Sequence, residues 1–292
     1  MGFRSLLFSL FLIFPAHQFQ RAAAQETSRF VFMPGAIAIP PLTANPQEPR
    51  VGVRKETGTT RMKLDIGSTL DLLEYSISDV QKLRLGIDFF TYALTTSSQG
   101  LRLQLDAVDG YFGGHVSYRA DAGGNVFGIR LRLLHLSGHF LDGHYDNTTG
   151  SWKDGRSPLP FTRDFGECLG RYEWNTTHMS FVVYSGFSYA TLVRPVEVKR
   201  FSTVHGLETY TSRLTGPVFA KPCNVYAATN LTLVGIPAYI GTTNVEAGVK
   251  FGEWSGSGVK LYLSYYSGLS VFSQYYDVRE SHWGLGLAFD FW

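Results

Sequence analysis

The chain has 292 residues, of which 44% are hydrophobic and 15% aromatic, and its formal net charge is +2. A charge this close to balance gives no argument for nucleic-acid binding, and we expect no nucleic-acid partner. Charged residues interrupt the apolar stretches, so no run beyond the N-terminal region approaches the roughly 20 residues of a membrane-spanning helix. These features exclude a helical membrane protein.

Residues 1–24 have the organisation of a secretory signal peptide. Arg4 precedes a short apolar stretch, Leu6 to Phe14, and a small-residue site, Ala22-Ala23-Ala24, follows it. The stretch is too short for a membrane anchor, and no cysteine follows the site, which excludes a lipoprotein. We therefore predict export across the inner membrane with cleavage after Ala24.

Prolines interrupt the next part of the chain, residues 25–60. They stand at Pro34, Pro40, Pro41, Pro46 and Pro49. Proline cannot donate a ladder hydrogen bond, so a regular strand is not expected through this region. The pattern predicts an N-terminal segment that lies in the periplasm or in a lumen, ahead of a barrel over residues 61–292.

Apolar and polar residues alternate with a period of two through most of residues 61–292. Met62, Leu64 and Ile66 share one face of the first stretch, while Lys63 and Asp65 share the other. Repeated amphipathic strands of about ten residues are typical of a transmembrane antiparallel β-barrel with a polar lumen. A soluble β-sandwich or lipocalin-like barrel, with its apolar face inward, is the alternative. We predict about 12 strands, near 61–77, 80–96, 100–109, 111–120, 124–142, 164–176, 178–193, 196–213, 221–235, 242–253, 257–269 and 282–292.

The charged face of these strands is predicted to line the lumen, because a charge on the lipid side at the bilayer midplane costs about 2–4 kcal/mol. An even strand number places both termini in the periplasm and makes residues 143–163 an extracellular loop. Opposite charges are expected to pair across the lumen. The predicted inward residues are Arg84, Asp88, Arg102, Asp106, Arg130, Arg132, Glu246, Lys250 and Lys260.

The last strand is amphipathic and rich in aromatic residues. Trp283, Leu285, Leu287, Phe289 and Phe291 alternate with small or polar residues up to the end. Such an end resembles the signal read by the barrel assembly machinery, although the terminal residue here is a tryptophan. The predicted location is therefore the outer membrane of a Gram-negative bacterium, with outer-membrane lipids and the assembly machinery as partners.

Two segments resemble a bacterial outer-membrane family known as domain of unknown function 1207. One runs from Phe32-Met33-Pro34 to Pro49-Arg50. The other contains a His-x-Ser-x-His motif, His135-Leu136-Ser137-Gly138-His139, followed by Asp142. The resemblance implies an outer-membrane barrel and no particular activity.

His135 and Ser137 lie two residues apart on a strand and share one face. The arrangement is similar to the His-x-Ser pair of the outer-membrane phospholipase A and of the lipid A deacylase, which act on the lipid-facing side of a barrel. Histidine can take the serine proton while an acid on the neighbouring strand orients the ring, and Glu167 is the candidate acid. The phospholipase motif continues Ser-Asn-Gly, whereas Gly138 follows here.

The face of this strand decides between two interpretations. Uninterrupted alternation from Arg130 and Arg132 places His135 and Ser137 on the lipid side, with no outward acid beside them. A single bulge at Leu133-Leu134 would instead turn His135, Ser137 and His139 into the lumen. This second arrangement is favoured because it strands no polar group in hydrocarbon. It would form a polar cluster with Glu167 and Arg171, and the candidate binding residues are Arg130, Arg132, His139, Asp142 and Arg171.

No metal or cofactor is expected. His135 and His139 would be roughly 13 Å apart along a strand, too far to share an ion. Two functions stay open: a structural, pore-lining or small-ligand-binding barrel, which the sequence favours, and a lipid-ester hydrolase.

Overall fold

The computed structural model describes residues 29–98, 102–218 and 220–291; the side chains of Arg29, Ser98 and Arg102 are not described. The predicted signal peptide lies outside these residues. Over the described ranges the chain is almost entirely strand, with three short 3-10 helices at Asp142–His144, Lys153–Gly155 and Ser273–Tyr275. In those ranges no helix is long and apolar enough to cross a membrane. The strands are β1 Arg29–Phe32, β2 Val51–Glu56, β3 Arg61–Ser78, β4 Gln81–Ser98, β5 Arg102–Ala122, β6 Asn125–Phe140, β7 Tyr145–Asp146, β8 Ser151–Trp152, β9 Phe161–Asn175, β10 Ser180–Arg194, β11 Phe201–Thr211, β12 Pro217–Val218, β13 Lys221–Gly235, β14 Tyr239–Gly252, β15 Gly258–Leu269 and β16 Arg279–Asp290.

Twelve strands form one closed antiparallel barrel. In order they are β2, β3, β4, β5, β6, β9, β10, β11, β13, β14, β15 and β16. The ring closes where β16 pairs with β2, from Gly284 opposite Glu56 to Phe289 opposite Val51. Closure leaves no open sheet edge in the wall, which is the condition for a sheet to span a bilayer. The predicted all-β barrel of about 12 strands is confirmed.

The strand number agrees with the prediction although two boundaries differ. The wall begins at Val51, inside the segment expected to precede the barrel, because the six residues of β2 follow Pro49, the last proline of that segment. The two short strands expected at 100–109 and 111–120 are the single strand β5. Asp109 and Gly110 are ladder residues in β5, paired with Tyr92 and Thr91, and do not form a turn. β2 adds one strand to the predicted set and β5 replaces two predicted strands with one, so the total stays at twelve.

The wall has an apolar outside and a charged inside. Leu133 is 76% exposed and Phe89 70% exposed on the outer surface, whereas Lys250 and Glu246 inside are at most 1% exposed. The inward charges pair with one another, as between Lys250 Nζ and Asp290 Oδ2 at 2.6 Å. The predicted inward residues with described side chains are all buried: Arg84, Asp88, Asp106, Arg130, Arg132, Glu246, Lys250 and Lys260.

Residues 36–50, here called the luminal segment, fill the interior of the barrel. β1 and β2 pair with different parts of the same edge of β3, and the chain between them leaves the wall and runs through the lumen. The backbone N–H of Ala38 donates to Asp71 at 2.7 Å, and that of Thr43 donates to Glu208 at 2.8 Å. Ala44 is fully buried. The lumen is therefore packed across its width at this level.

The two ends of the barrel differ. The long connection between β6 and β9, residues 141–160, carries two of the short helices and the β7–β8 hairpin. This end is called the long-loop end below, and it is the end predicted to be extracellular. The last residues of β16 lie at the other end, called the terminal end.

Candidate functional site on the outer wall

The register of β6 fixes which way its motif faces. β6 pairs with β9 without interruption from Val126 opposite Glu173 to Gly138 opposite Phe161. Its pairing with β5 is equally regular. The bulge expected at Leu133-Leu134 is therefore absent, and His135, Ser137 and His139 lie on the outer face with Leu131 and Leu133. The hypothesis of a luminal His/Ser cluster is wrong.

The reason lies in the residues between the polar ones. Leu134 and Leu136 are 5% and 3% exposed and belong to an apolar cluster inside the long-loop end. They contact the same interior group as Tyr111 and Phe161. Because the lumen is apolar at this level, an apolar side chain on this part of β6 does not have to face the lipid. The hydrogen-bond pairing of β6 with its neighbours determines which of its residues face outward.

Glu167 and Arg171 stay inside the barrel and do not meet the motif. Glu167 accepts hydrogen bonds from Arg130 at 3.2 Å and from Arg132 at 2.9 Å. Arg171 pairs along the ladder with Gly128, and its Nη2 donates to Glu173 at 2.8 Å. Glu167 therefore cannot be the acid that orients His135, because the wall separates them. Arg130 and Arg132 bind acids of the protein itself.

The outward acid beside His135 is Asp164. The two residues lie opposite each other on β6 and β9, and Asp164 Oδ1 is 2.6 Å from His135 Nδ1. The carboxylate accepts from Nδ1–H, so the lone pair of Nε2 is left to accept a proton. Asp164 was not predicted from the sequence, although its strand phase is opposite to that of Glu167 and Arg171, which were assigned to the lumen.

Ser137 lies next to an open space on the outer wall. It is flanked on the ladder by Gly110 of β5 and Thr162 of β9. A Cβ placed on Gly110 would have no atom of the described residues within 4 Å, so none of their side chains covers Ser137 from that side. The Thr162 hydroxyl is already used, since it donates to the Leu136 carbonyl at 3.1 Å. The Ser137 hydroxyl is therefore accessible from outside.

The ring of His135 is held on both sides. Phe112 lies beside it with ring centroids 4.7 Å apart, opposite the Asp164 contact. The side chains of His135 and Asp164 are 32% and 44% exposed. The pairing of β9 with β10 has a bulge next to Asp164, between Ala190 and Leu192. Bulges re-aim side chains and occur often beside functional sites.

The other two candidates do not join the pair. His139 is exposed on the outer wall beyond Ser137, toward the long-loop end. Asp142 lies in the Asp142–His144 turn, where its Oδ1 accepts the N–H of Gly143 at 3.0 Å. The described contacts therefore reduce the candidate site to Ser137, His135 and Asp164.

A second serine–histidine pair lies on the outer wall and lacks the acid. Ser185 Oγ is 2.8 Å from His205 Nδ1, and His205 Nε2 is 3.1 Å from Thr203 Oγ1. Both ring nitrogens of His205 thus face hydroxyl groups. No carboxylate in the described residues pairs with His205, which distinguishes it from His135.

No protein-family model and no curated protein matches the chain. Solved structures with a similar fold include the β domain of the Bordetella autotransporter BrkA, with 13% identity, a TM-score of 0.49, and coverage of 82% of this chain and 96% of that one. The Pseudomonas putida toluene transporter TodX has 10% identity and a TM-score of 0.41, and the match covers 79% of this chain and 69% of that one. OmpT, an outer membrane protein of Vibrio cholerae, has 12% identity and a TM-score of 0.37, and the match covers 83% of this chain and 95% of that one.

Proposed function

We propose that the chain is an integral outer-membrane β-barrel whose outer wall carries a hydrolase site for lipid esters, formed by Ser137, His135 and Asp164. The observation that carries the proposal is the 2.6 Å contact between His135 and Asp164, in ladder register on the face that Ser137 shares. Serine as nucleophile, histidine as base and a carboxylate as orienting group form a recurring catalytic constellation.

Membrane insertion is supported by the distribution of polarity. The outer surface bears large exposed apolar residues, whereas the buried charges are inside. In water this arrangement would expose an apolar belt around the whole molecule, whereas a bilayer buries it. The predicted signal peptide and the aromatic final strand make the outer membrane the proposed location. The resemblance to domain of unknown function 1207 agrees with that location and remains a prediction.

The depth of the site on the wall fits an ester substrate. The outward residues of β6 are apolar from Phe127 through Leu133 and become polar at His135 and Ser137. The apolar band of such barrels is about 25 Å tall. The outward face of β6 thus changes from apolar to polar at His135, and we propose that this change lies near the edge of the hydrocarbon on the long-loop side, where membrane lipids carry their acyl ester bonds.

The chemistry follows from the three groups. His135 Nε2 takes the proton of the Ser137 hydroxyl as Oγ forms a bond to the ester carbonyl carbon. The tetrahedral intermediate collapses, the C–O bond to the lipid alcohol breaks, and the alcohol leaves with the proton from Nε2. Water then hydrolyses the acyl-serine by the same route and releases a fatty acid. Asp164 holds the ring through Nδ1–H and stabilises its protonated form.

One rearrangement is needed. Among the described residues no hydrogen bond joins the Ser137 hydroxyl to the His135 ring, so the hydroxyl must turn toward Nε2 when the substrate binds. Catalytic hydrogen bonds are often loose without substrate and tighten only in the complex.

A pore is not supported by the interior of this barrel. The luminal segment fills it, and Glu48 of that segment binds Arg130 Nη2 at 2.6 Å and Arg132 Nη2 at 2.8 Å. The outer-wall site needs no open lumen, because its substrate reaches it from the bilayer.

The test is fatty-acid release from phospholipid and from lipid A by purified protein in detergent, with and without calcium. The Ser137→Ala and Asp164→Asn variants should each lose at least about a hundredfold in rate, because each lacks one member of the catalytic unit. Ser185→Ala is the matched control, since it removes an outward serine beside a histidine that has no acid, and its rate should be unchanged. Absence of activity in the native protein, or equal losses in all three variants, would overturn the proposal and leave a structural barrel.

A further inference from the structure

We infer that the long-loop end of the lumen contains a binding site for a small carboxylate with an apolar body, recognised by Arg163. This site lies inside the barrel and is independent of the proposed hydrolase on the outer wall. Arg163 and Asp164 are consecutive residues of β9 that face opposite sides, so the two sites share a strand but no side chain.

The guanidinium of Arg163 has no hydrogen-bond acceptor or carboxylate partner at two of its nitrogens among the described residues. Its Nε and Nη2 atoms are buried and donate to no acceptor within the described part of the chain. No carboxylate of the described residues lies within ion-pair distance of it, whereas several other luminal arginines, Arg84, Arg130, Arg132 and Arg171, each bind one. A buried charge without a counter-charge is costly, so a bound anion would remove a penalty that the protein alone does not offset.

The guanidinium is also held in place for binding. Arg163 Cζ lies 5.2 Å from the centroid of the Phe165 ring, a cation–π contact from the neighbouring inward position. A planar guanidinium with free N–H groups favours carboxylate, which it can bind through two parallel hydrogen bonds. The charge is therefore positioned before any ligand arrives.

Arg163 borders two adjoining recesses above the luminal segment. They enclose about 680 and 590 Å³ of empty space, part of it open to the outside, and Asn45 and Gln47 border both. Asn45 and Gln47 belong to the luminal segment, which therefore forms the floor of the site.

The rest of the lining indicates the ligand class. Leu136, Phe161 and Val271 form an apolar side of the larger recess. Asn244, which also borders it, has a buried Oδ1 with no described hydrogen-bond donor. Arg132 borders the smaller recess but is bound by Glu48 and Glu167, so Arg163 is the bordering cation without a described carboxylate partner. An unpaired cation beside apolar side chains suits an anion that carries an apolar body, and suits inorganic phosphate poorly.

The experiment is calorimetric titration of the full-length mature protein in detergent with hexanoate, hexan-1-ol and inorganic phosphate. A Ser137→Ala background removes any contribution from the outer wall. Hexanoate should bind saturably, and hexan-1-ol, which lacks the charge, should bind at least tenfold more weakly. Phosphate should show no saturable binding.

Two variants locate the site. Arg163→Gln should weaken hexanoate binding at least tenfold, whereas Arg54→Gln should leave it unchanged, because Arg54 is another buried luminal arginine that borders neither recess. Equal binding of hexanoate and hexan-1-ol, equal binding of phosphate, or no saturable hexanoate binding would each overturn the inference. The comparison of ligands on the native side chain decides the question even if Arg163→Gln does not fold.

Discussion

Glu48 offers a direct test of how firmly the luminal segment is held. Its side chain is buried and its two oxygens bind Arg130 Nη1 and Nη2, at 3.0 and 2.6 Å. Oε1 also accepts from Arg132 Nη2 at 2.8 Å. Glu48→Ala would remove all three charge-assisted hydrogen bonds and leave Glu167 as the described carboxylate bound to both arginines.

The expected loss follows from this geometry. Removing one partner of a buried ion pair costs about 3–5 kcal/mol, because an uncompensated charge remains. Glu167 still compensates part of it, so the lower end applies, and we expect a decrease of about 3 kcal/mol in the free energy of unfolding. That corresponds to roughly a hundredfold change in the ratio of folded to unfolded protein.

The assay is equilibrium urea unfolding in lipid vesicles, followed by tryptophan fluorescence and by migration of unheated samples on gels. Glu253→Ala is the control, since Glu253 is exposed outside the lumen. A double-mutant cycle with Arg130→Ala should give a coupling free energy above about 1 kcal/mol. A loss below about 1 kcal/mol for Glu48→Ala, or no coupling, would show that this ion pair does not anchor the segment.

Two further predictions concern the long-loop end and the wall. Arg156 Nη1 donates to Asp277 at 2.8 Å, and this hydrogen bond lowers the pKa of the Asp277 carboxyl. The stabilisation from this ion pair is therefore fully present above the ordinary pKa of aspartate, about 4, and is lost as the pH falls through the lowered pKa. In the native protein, the amide exchange rate of residues 270–278, divided by the intrinsic exchange rate at the same pH, should therefore rise as the pH is lowered below about 4. In Asp277→Asn this ratio should not change over the same pH range. Gly67 has a φ of +142°, and a Cβ there would lie 2.3 Å from Phe90 Cα. Gly67→Ala should lower the free energy of unfolding by at least about 2 kcal/mol, measured as a lower urea midpoint. Gly170→Ala, where the nearest atom to the added Cβ would lie at 3.8 Å, should change it little. Similar midpoints for the two variants would contradict this reasoning.

The fold could be predicted from sequence because alternation is a direct consequence of strand geometry. The phase of the charged residues followed from the cost of placing a charge in lipid, and it is confirmed at Arg84, Glu246 and Lys250, among others. The start of the wall could not be found this way, since the six residues of β2 are too short to show a period and follow a proline-rich stretch.

The candidate site was harder to predict. The sequence predicts a bulge in β6, which the structure lacks, because polar residues on the lipid side are expected to be costly. Polar groups there can satisfy one another, as His135 does with Asp164 and Ser185 does with His205. Recognising Asp164 required the register between β6 and β9. The 141–160 loop is long enough to allow several registers, so the sequence left this pairing undetermined.

The way the luminal segment is attached has a consequence for assembly. Because β1 and β2 hold its two ends against β3, the segment is a loop with two fixed points and cannot swing out on a single hinge. The pairing of β16 with β2 joins the first and last barrel strands, so the strand that closes the wall is also the strand that follows directly on the luminal segment. Closure of the wall and the position of the segment in the lumen therefore depend on the same strand, β2.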